Sequence, residues 1–352
     1  MFKMLAKREP LKINISFCPK SELSELQMFI NVHWKRGHVL SHSKSLVDWM
    51  YFDVEKDRYN FFLAKNDKED IISILGFVSP KHYDRNIPHV DVWQTIWKTR
   101  EDMSIPGVGY MLHRTLVREL NPRTIGGVGL SSMIIPYTKT LGFSHGIAHH
   151  YYLLNNQISF NAIASVNRSS PREPVIVSGE RFALFTSDML KMFPDSIRSV
   201  LFHRIPTKSI DYIINRYIDH PIYKYYVIGK LDNDLQPFLL VFRAITHNDI
   251  SVLRIVEFFG VDSALSGTYS MFQNLLMDFE AEYIDMYCNT VTHFALESAG
   301  FQLKDPSSEI IPDHFEPFEL KNNELNFVYK AESGIEYSIF KGDSDQDRPN
   351  VI

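Results

Sequence analysis

The sequence predicts an α/β chain in which one fold, a mixed α+β sheet with flanking helices, occurs twice, the second time in degenerate form. Three observations predict this class. Short apolar runs rich in β-branched and aromatic residues alternate with amphipathic helical patterns. The same order of elements recurs at an offset of about 160 residues, which is typical of an internal duplication. The length of 352 residues exceeds the roughly 250–300 residues at which a single core stops growing.

The first half of the chain shows a regular succession of helical and strand patterns. Apolar residues recur at helical spacing over 23–34 and again over 45–50. Two apolar runs, 60–64 and 71–78, flank a polar stretch and are predicted to form a hairpin. The predicted elements that follow are a strand over 90–99, a glycine-containing turn, a helix that ends before Asn121-Pro122, a strand over 124–130, a short helix and a strand over 147–154.

The second half repeats this order more loosely. The runs 225–230 and 237–243 form a second predicted hairpin, which is followed by a strand, a helix, a strand and a helix. We therefore predict an N-terminal domain over 1–165, a C-terminal domain over 166–340 and a polar tail over 341–352 that frays. The alternative is that the recurring order of elements is common to mixed α/β chains and does not reflect a duplication.

Composition argues against several classes of partner. The net charge is −5, and lysines and arginines are scattered among acidic residues, so we expect no nucleic-acid partner. No apolar run approaches the ~20 residues that span a bilayer, and no signal peptide is evident, so we expect no membrane partner. The two cysteines, Cys18 and Cys288, lie far apart, which suits a reducing compartment. We therefore expect a cytoplasmic protein, and the sequence leaves its oligomeric state open.

The segment Asp102–Gly109 joins a predicted strand to a predicted helix and contains two glycines separated by one residue. Glycine lets the backbone approach a phosphate closely, and the free N–H groups and dipole at a helix amino terminus favour negative charge. The sequence therefore predicts an anion-binding turn, with a plain turn as the alternative. The residues predicted to line it are Ser104, Gly107, Val108, Gly109 and Tyr110.

The element order of the first half, together with this turn, resembles that of the GNAT acyltransferases, whose pyrophosphate-binding turn reads Gln/Arg-x-x-Gly-x-Gly/Ala. This chain has Ser104 where that family usually has Gln or Arg. The resemblance implies that the N-terminal domain binds a coenzyme A thioester as co-substrate, with no tightly bound cofactor. The second half has only Ser266-Gly267-Thr268 at the corresponding turn, which implies that the C-terminal copy has lost that role.

A carboxylate and two tryptophans lie on the predicted strand that precedes the turn. Asp91, Trp93, Thr95 and Trp97 alternate along this strand and share one of its faces. In one interpretation Asp91 is exposed at an edge and the tryptophans are packing residues. In the other, Asp91 lies near the thioester and contacts or deprotonates the attacking amine, while Trp93 and Trp97 contact the acceptor.

Tyr137 precedes the segment Leu141-Gly142-Phe143. In many GNAT enzymes a tyrosine four residues before this glycine protonates the leaving thiolate. This chain has Thr138 at that spacing and Tyr137 one residue further away. Tyr137 is therefore either a core aromatic residue or an acid that serves from a shifted register.

Other polar residues are candidates for an acceptor site, to which the C-terminal domain is expected to contribute. His33, Arg36 and His38 crowd the loop between the first two helices, which usually shapes the acceptor pocket in GNAT folds; a solvated loop is the alternative. Arg243 and Glu257 lie within apolar strands, where buried charges must be paired or used. They are predicted to bind substrate or to pair with each other. Zinc-ligand spacing is lacking in the sequence, so we predict no metal.

A more specific resemblance rests on the order of nine short segments: His33-Trp34, Gly37–Leu40, Trp49–Tyr51, Ile74–Phe77, Asp91–Trp93, Gly107–Gly109, Gly142-Phe143, His150–Asn155 and Leu253–Phe258. In this order they resemble two-domain GNAT-type nucleotide-sugar N-acyltransferases. This resemblance implies transfer of a 3-hydroxybutyryl or related group from coenzyme A to the amine of a dTDP-linked amino-dideoxyhexose, such as dTDP-3-amino-3,6-dideoxygalactose, in the biosynthesis of surface glycans such as the lipopolysaccharide O-antigen. The alternatives are an aminoacyl transferase with tandem GNAT folds and a non-catalytic module that binds acyl-coenzyme A or a sugar nucleotide.

Overall fold

The computed structural model describes residues 12–103, 105–159, 161–166, 181–230 and 236–350 of the chain. The chain divides into two compact units, which we describe one after the other. Unit 1 consists of Met1–Val78 and Gln94–Asn121, and unit 2 consists of Ser79–Trp93 and Pro122–Ile352. These limits differ from the predicted domain boundary between residues 165 and 166, which stays a prediction.

Strands and helices alternate through the described residues. The strands are β1 (Asn14–Pro19), β2 (Phe52–Asp53), β3 (Arg58–Lys65), β4 (Ile71–Val78), β5 (Asp91–Thr99), β6 (Thr124–Val128), β7 (Ser144–Leu154), β8 (Ala183–Leu184), β9 (Tyr226–Lys230), β10 (Phe238–His247), β11 (Ile250–Gly260), β12 (Ala281–Cys288), β13 (Gln302–Leu303), β14 (His314–Phe315), β15 (Phe318–Glu319) and β16 (Leu325–Lys330). The α-helices are α1 (Leu23–Phe29), α2 (Lys44–Tyr51), α3 (Pro80–Tyr83), α4 (Val108–Leu120), α5 (Ile135–Thr140), α6 (Ser187–Lys191), α7 (Asp195–Leu201), α8 (Ile210–Ile213), α9 (Tyr269–Asp278) and α10 (His293–Ser298).

Unit 1 is built on a sheet with the strand order β1-β3-β4-β5, and the short β2 pairs with β3. The predicted hairpin is confirmed, since β3 and β4 pair antiparallel and are almost entirely buried. Asn66 shapes the turn between them, because its Oδ1 accepts hydrogen bonds from Lys68 N at 2.9 Å and Asp70 N at 3.0 Å. Helix α4 follows β5, as the sequence predicts.

Unit 2 contains the strand order β6-β16-β7-β12-β11-β10-β9-β8. The first half of the long β7, from Ser144, pairs with β16, while its second half, from His149 to Leu154, pairs with β12. The short β13 also pairs with this second half of β7. A late strand, β16, therefore lies beside β6, which comes some two hundred residues earlier in the chain; sequence reasoning missed this strand.

A hairpin and a crossover helix form much of the core of unit 2. Asn248 and Asp249, with φ of 50° and 63°, form the two-residue connection between β10 and β11, as expected for a tight hairpin turn. Helix α9 then connects β11 to the parallel β12 and buries Phe272 and Leu276 in the core. The order β3-β4-β5-α4-β6 of the first half thus recurs as β9-β10-β11-α9-β12, in the order that the sequence predicts.

The polar tail is packed rather than loose through residue 345. Lys341 is 8% exposed, Asp343 and Ser344 are fully buried, and Asp345 is 5% exposed. Arg216 Nη2 donates a hydrogen bond to Ser344 O at 2.7 Å. The prediction that the tail frays is wrong for these residues, because their polar groups are paired inside unit 2.

Candidate functional site

The predicted anion-binding turn opens helix α4. Gly107 has a left-handed conformation (φ +85°) immediately before the first helical residue, Val108. A β-carbon at Gly107 would meet no heavy atom within 4 Å. Because the first N–H groups of a helix have no intrahelical acceptor, this turn presents donors suited to an anion. The predicted residue Ser104 lies outside the described residues.

Trp97 covers one side of this turn. A β-carbon at Gly109 would lie 3.2 Å from Trp97 Nε1, so a larger residue would press on the indole. The Trp97 ring stacks on His113 with 5.9 Å between centroids. Tyr110, in the first turn of α4, is 44% exposed. The structure therefore places Trp97 beside the turn that is predicted to bind phosphate.

Two of the predicted loop residues, His33 and Arg36, reach solvent. The His33 ring packs on Phe29 with 4.9 Å between centroids. Partial burial and the nearby Arg100 guanidinium lower the pKa of His33 below its ordinary value. Arg36 is exposed. Both side chains remain candidates for ligand contacts.

His38, the third predicted loop residue, is 6% exposed. Its Nδ1 accepts a hydrogen bond from Leu40 N at 3.2 Å, so it caps the short 3-10 helix Val39–Ser41. This contact gives His38 a structural role, and its predicted part in acceptor binding loses support.

Asp91 is 1% exposed, and its carboxylate is already surrounded by donors. Arg123 Nε donates to Oδ1 at 3.0 Å, and Arg123 Nη2 donates to Oδ2. Thr124 Oγ1 donates to Oδ1 at 2.7 Å, and Thr207 N donates to Oδ2 at 3.0 Å. The predicted exposure is wrong, and the geometry does not support a role as base. Trp93 is fully buried as well, which makes it a core residue rather than an acceptor contact.

Tyr137 lies in α5 and is 38% exposed, so the interpretation as a core aromatic residue is wrong. The buried neighbour is Thr138, whose Oγ1 donates to Ile135 O at 2.9 Å. The interpretation of Tyr137 as an acid from a shifted register stays a prediction.

Arg243 and Glu257 do not pair with each other, so that prediction is wrong. Arg243 Nε and Nη2 donate to the carboxylate of Asp347 at 2.9 Å and 3.0 Å. The Arg243 guanidinium also lies 4.2 Å from the centre of the Tyr223 ring. Glu257 instead accepts hydrogen bonds at 2.7 Å from Lys208 Nζ on both carboxylate oxygens.

Lys208, Glu257 and Asp343 form a buried group that we call the Lys208 cluster. Lys208 Nζ donates to Asp343 Oδ1 at 2.7 Å, and Tyr217 Oη donates to Glu257 Oε1 at 2.9 Å. Burial raises the pKa of Glu257 to about 7; Lys208 opposes this rise and Asp343 adds to it. Glu257 is fully buried, so its predicted contact with substrate is not supported.

Unit 2 contains a cavity of about 330 Å³ with many polar lining residues, which we call the polar cavity. Gly129, at the carboxyl end of β6, is at its wall, together with parts of β10, β11 and the tail. Four cationic side chains line it: Arg243, Arg254, Lys341 and Arg348. Five carboxylates line it: Asp313, Glu316, Glu319, Glu324 and Asp347. Of the predicted site residues, Arg243 is the one that contributes to this lining.

The cations of the polar cavity are already paired with carboxylates. These pairs are Arg243–Asp347 at 2.9 Å, Arg254–Asp285 at 2.8 Å, Lys341–Asp313 at 3.1 Å and Arg348–Asp345 at 2.9 Å. Although burial acts in the opposite direction, Lys341 and Arg254 hold the pKa of Asp313 well below its ordinary value. The cavity therefore offers a ligand few uncompensated positive charges.

Glu316 is a carboxylate of this cavity that two hydrogen bonds orient and that keeps an open acceptor position. Its Oε2 accepts hydrogen bonds from Tyr223 Oη at 2.9 Å and Asn350 N at 3.0 Å. Within the described ranges its Oε1 has no hydrogen-bond partner, and neither Glu316 nor Glu324 forms an ion pair. An oriented, uncompensated carboxylate suits an ammonium group. Sequence reasoning missed Glu316, because its orientation depends on contacts with residues distant in the chain.

A second buried charge group lies beneath the cavity. Arg254 and His150 both donate to Asp285, from Nη2 at 2.8 Å and from Nε2 at 3.0 Å. Although burial opposes this, Arg254 and His150 lower the pKa of Asp285 to about 2. Burial lowers the pKa of His150 to about 4, so its imidazole is neutral at neutral pH. This arrangement fixes Arg254 at the cavity wall.

The described residues contain neither a metal-binding cluster nor a helix that could span a membrane. In the parts of the chain that the structure describes, we find no group of three or more His, Cys, Asp or Glu side chains arranged to hold a metal ion. In the same parts, no helix has both the length and the apolar character that a membrane span requires.

Comparison with known proteins gives matches at the level of structure. No family model and no curated protein matches the chain. It is similar to the crystal structure of a GCN5-related N-acetyltransferase (GNAT) from Anabaena variabilis ATCC 29413, with 12% identity, a TM-score of 0.52, and coverage of 91% of this chain and 72% of that one. It is also similar to a GCN5-related N-acetyltransferase from Kribbella flavida, with 10% identity, a TM-score of 0.52, and coverage of 91% of this chain and 71% of that one.

A third similar structure is a conserved protein of unknown function from Enterococcus faecalis V583, described as a probable N-acyltransferase, with 8% identity, a TM-score of 0.53, and coverage of 91% of this chain and 72% of that one. The chain has the GNAT fold. The predicted fold class is therefore confirmed, and the match extends through both halves of the sequence. At these identities the likeness concerns the fold alone.

Proposed function

We propose that this protein is an acyl-coenzyme A-dependent N-acyltransferase. The observation that carries the proposal is the glycine-opened amino terminus of α4, which directly follows strand β5 in a GNAT fold. Gly107 and Gly109 are the two positions of the turn without side chains. The coenzyme A thioester is a co-substrate, and no tightly bound cofactor is needed.

The donor is held through its pyrophosphate at this turn. The N–H groups of Gly109 and Tyr110 supply hydrogen bonds, and the helix dipole adds a favourable field for negative charge. Neutral backbone donors make a strongly basic surface unnecessary, which agrees with the net charge of −5. The exposed Tyr110 and the nearby Trp97 provide apolar surface beside the phosphates.

The acceptor is an amine that enters the polar cavity of unit 2. Carboxylates outnumber cations in its lining, and the cations are already paired, so the cavity favours an ammonium group over a phosphate. Glu316 Oε1 is an open acceptor position on a carboxylate that Tyr223 and Asn350 orient. We place only the amino-hexose end of the substrate in this cavity.

The specific acceptor that we propose is a dTDP-linked amino-dideoxyhexose, such as dTDP-3-amino-3,6-dideoxygalactose, and the acyl group is 3-hydroxybutyryl. These identities rest on the resemblance of the sequence to nucleotide-sugar N-acyltransferases. In that case the product belongs to cytoplasmic steps of surface-glycan or lipopolysaccharide O-antigen biosynthesis. The hydroxyl groups of the hexose match the many polar groups of the cavity.

The proposed reaction needs little acid catalysis. The ammonium first loses a proton, the neutral nitrogen forms a bond with the thioester carbonyl carbon, and the carbon–sulfur bond breaks. The nitrogen gives up a second proton as the amide forms, and the departing thiolate takes up a proton, so the reaction releases one proton in total. Because a thiol has a reference pKa of about 8.5, its departure near neutral pH needs little assistance, and positioning is the main contribution of the protein.

The test is thiol release from 3-hydroxybutyryl-coenzyme A and from acetyl-coenzyme A with a panel of dTDP-amino-dideoxyhexoses. Turnover with one donor–acceptor pair and a product of the expected mass supports the proposal. Coenzyme A binding without turnover across the panel would withdraw the sugar acceptor and leave a binding module. Absence of both binding and turnover would contradict the proposal as a whole.

A further inference from the structure

Strands β11 and β12 pair for only part of their length. Their parallel register runs from Ser251↔Ala281 to Ile255↔Met286, whereas β11 continues to Gly260 and β12 continues to Cys288. Both strand ends are buried, with Val256 fully buried and Tyr287 1% exposed. Backbone groups on these facing edges need other partners, because an unpaired buried N–H or C=O is costly.

Residues Tyr337–Gly342, which we call the insert segment, supply such partners on both edges. Gly342 N donates a hydrogen bond to Val256 O, on β11, at 2.9 Å. Phe340 forms an antiparallel bridge with Cys288, the last residue of β12. The insert segment therefore lies between the two diverging strands and bonds to each of them.

The residue that follows β12 extends this pairing with its side chain. Asn289 Nδ2 donates to Tyr337 O at 2.8 Å, and Asn289 Oδ1 accepts from Ile339 N at 2.7 Å. The Asn289 side-chain amide thus donates one hydrogen bond to the insert segment and accepts one from it, as the backbone of a neighbouring strand would. Tyr337, Ile339 and Phe340 are each at most 2% exposed, so the segment is part of the core.

The carboxyl end of the insert segment is fixed by the Lys208 cluster. Asp343 accepts from Lys208 Nζ at 2.7 Å and from Phe340 N at 2.8 Å. Gly342 is fitted closely, since a β-carbon there would lie 2.3 Å from Tyr217 Oη and 2.8 Å from Val256 O. A larger residue at position 342 would have to displace the segment from β11.

We propose that the insert segment is an intramolecular ligand that fills a cleft in the second copy of the fold. A gap between two diverging parallel strands fits an extended chain that carries amide donors and acceptors. The pantetheine arm of an acyl-coenzyme A has this chemistry, and the insert segment occupies its place. The identity of the displaced ligand rests on the proposed function, whereas the filling of the cleft does not.

The filled cleft limits the number of donor sites. Because the cleft of the second copy is occupied by the chain itself, the protein binds at most one acyl-coenzyme A, at the turn that opens α4. The degenerate turn Ser266-Gly267-Thr268 of the second copy then has no phosphate to hold. The tail beyond the insert segment supplies residues to the polar cavity, among them Asp347 and Arg348.

Hydrogen exchange on the full-length protein tests the filling of the cleft. We expect the amides of Ile339, Phe340 and Gly342 to exchange as slowly as those of the core. Asn289→Ala should speed exchange at least tenfold in the insert segment, with peptides from β3 and β4 as the internal reference. Gly342→Ala should give the same pattern, and the exposed Ser333→Ala should leave it unchanged. Exchange of these wild-type amides at the rate of an exposed loop would overturn the proposal.

Titration of the same protein with coenzyme A tests the consequence. One equivalent bound per chain, with a protected insert segment, supports the proposal. Two equivalents per chain would overturn it. No binding, with a protected insert segment, would contradict the proposed function while the filled cleft still stands.

Discussion

Lys208 Nζ donates to both carboxylate oxygens of Glu257 at 2.7 Å, and the two side chains are 7% and 0% exposed. Taking two charges out of water costs several kcal/mol per ion, which good geometry and additional hydrogen bonds must offset. Tyr217 and Asp343 provide these additional bonds. Lys208 therefore links β11 to the tail through Glu257 and Asp343. Loss of Lys208 should destabilise both β11 and the tail.

Lys208→Met should lower the free energy of unfolding by about 3–5 kcal/mol, because it leaves Glu257 and Asp343 buried without their cation. The loss should depend on pH. Burial already raises the pKa of Glu257 to about 7, so its contribution to stability falls as pH rises from about 4.5 through 7. Removal of Lys208 raises this pKa further, so denaturant unfolding should show a larger loss at pH 8 than at pH 5.5.

The matched control is Lys44→Met, which removes an exposed lysine paired with Asp48. This surface pair should contribute less than about 1 kcal/mol, with little dependence on pH. Equal losses in the two variants, or the same Lys208→Met loss at both pH values, would contradict the structural role of the Lys208 cluster.

Asp91→Asn should affect stability rather than catalysis. The substitution leaves Arg123 largely buried without its charged partner, which should cost about 3 kcal/mol of unfolding free energy. The kcat and KM of the folded protein should stay at wild-type values, since the carboxylate faces no open space. Asp278→Asn, which removes an exposed partner of Arg181, is the control. A hundredfold drop in kcat with an unchanged unfolding midpoint would restore Asp91 as a catalytic residue.

Gly109→Val should weaken coenzyme A binding about tenfold, as measured by titration calorimetry. Its side chain would press on Trp97 Nε1, 3.2 Å from the β-carbon position, and would shield the first N–H groups of α4. The KM for the amine should not change. Glu119→Val introduces the same residue into the last turn of α4, at an exposed position, and should bind coenzyme A normally. Wild-type affinity in Gly109→Val would remove this turn from the donor site.

Glu316→Gln should lower kcat/KM for the amine by roughly a hundredfold, because the neutral amide does not attract the ammonium. Coenzyme A affinity should be unaffected, and rates should recover partly at high pH, where more of the amine is already neutral. Glu319→Gln alters a carboxylate of the same cavity that is paired with Lys321, and should have a small effect. Identical kinetics in the two variants would show that Glu316 does not receive the acceptor.

The sequence predicts local structure well where the signal is local. The hairpin of β3 and β4 and the helix that begins at Val108 both follow from residue patterns within about ten positions. The repeated order of strands follows in the same way. These features were accessible because alternation, turn residues and helix starts depend on near neighbours.

Partners of buried charges were not accessible in this way. Arg243 and Glu257 lie on paired strands, yet the register places Arg254 opposite Arg243 and Val241 opposite Glu257, with a bulge between them. Their true partners, Asp347 and Lys208, come from the tail and from a loop. The polar composition of the tail predicts fraying. That prediction fails because the polar groups of the tail pair with residues of unit 2 that lie more than a hundred positions away in the sequence.

The measurement that tests the central claim most directly compares two products of one reaction of the full-length protein. After incubation with 3-hydroxybutyryl-coenzyme A and dTDP-3-amino-3,6-dideoxygalactose, free thiol and N-acylated sugar are quantified in the same sample. We expect equal amounts of the two products, both dependent on the amine. Thiol release without an acylated amine, or no release while the protein remains folded, would contradict it.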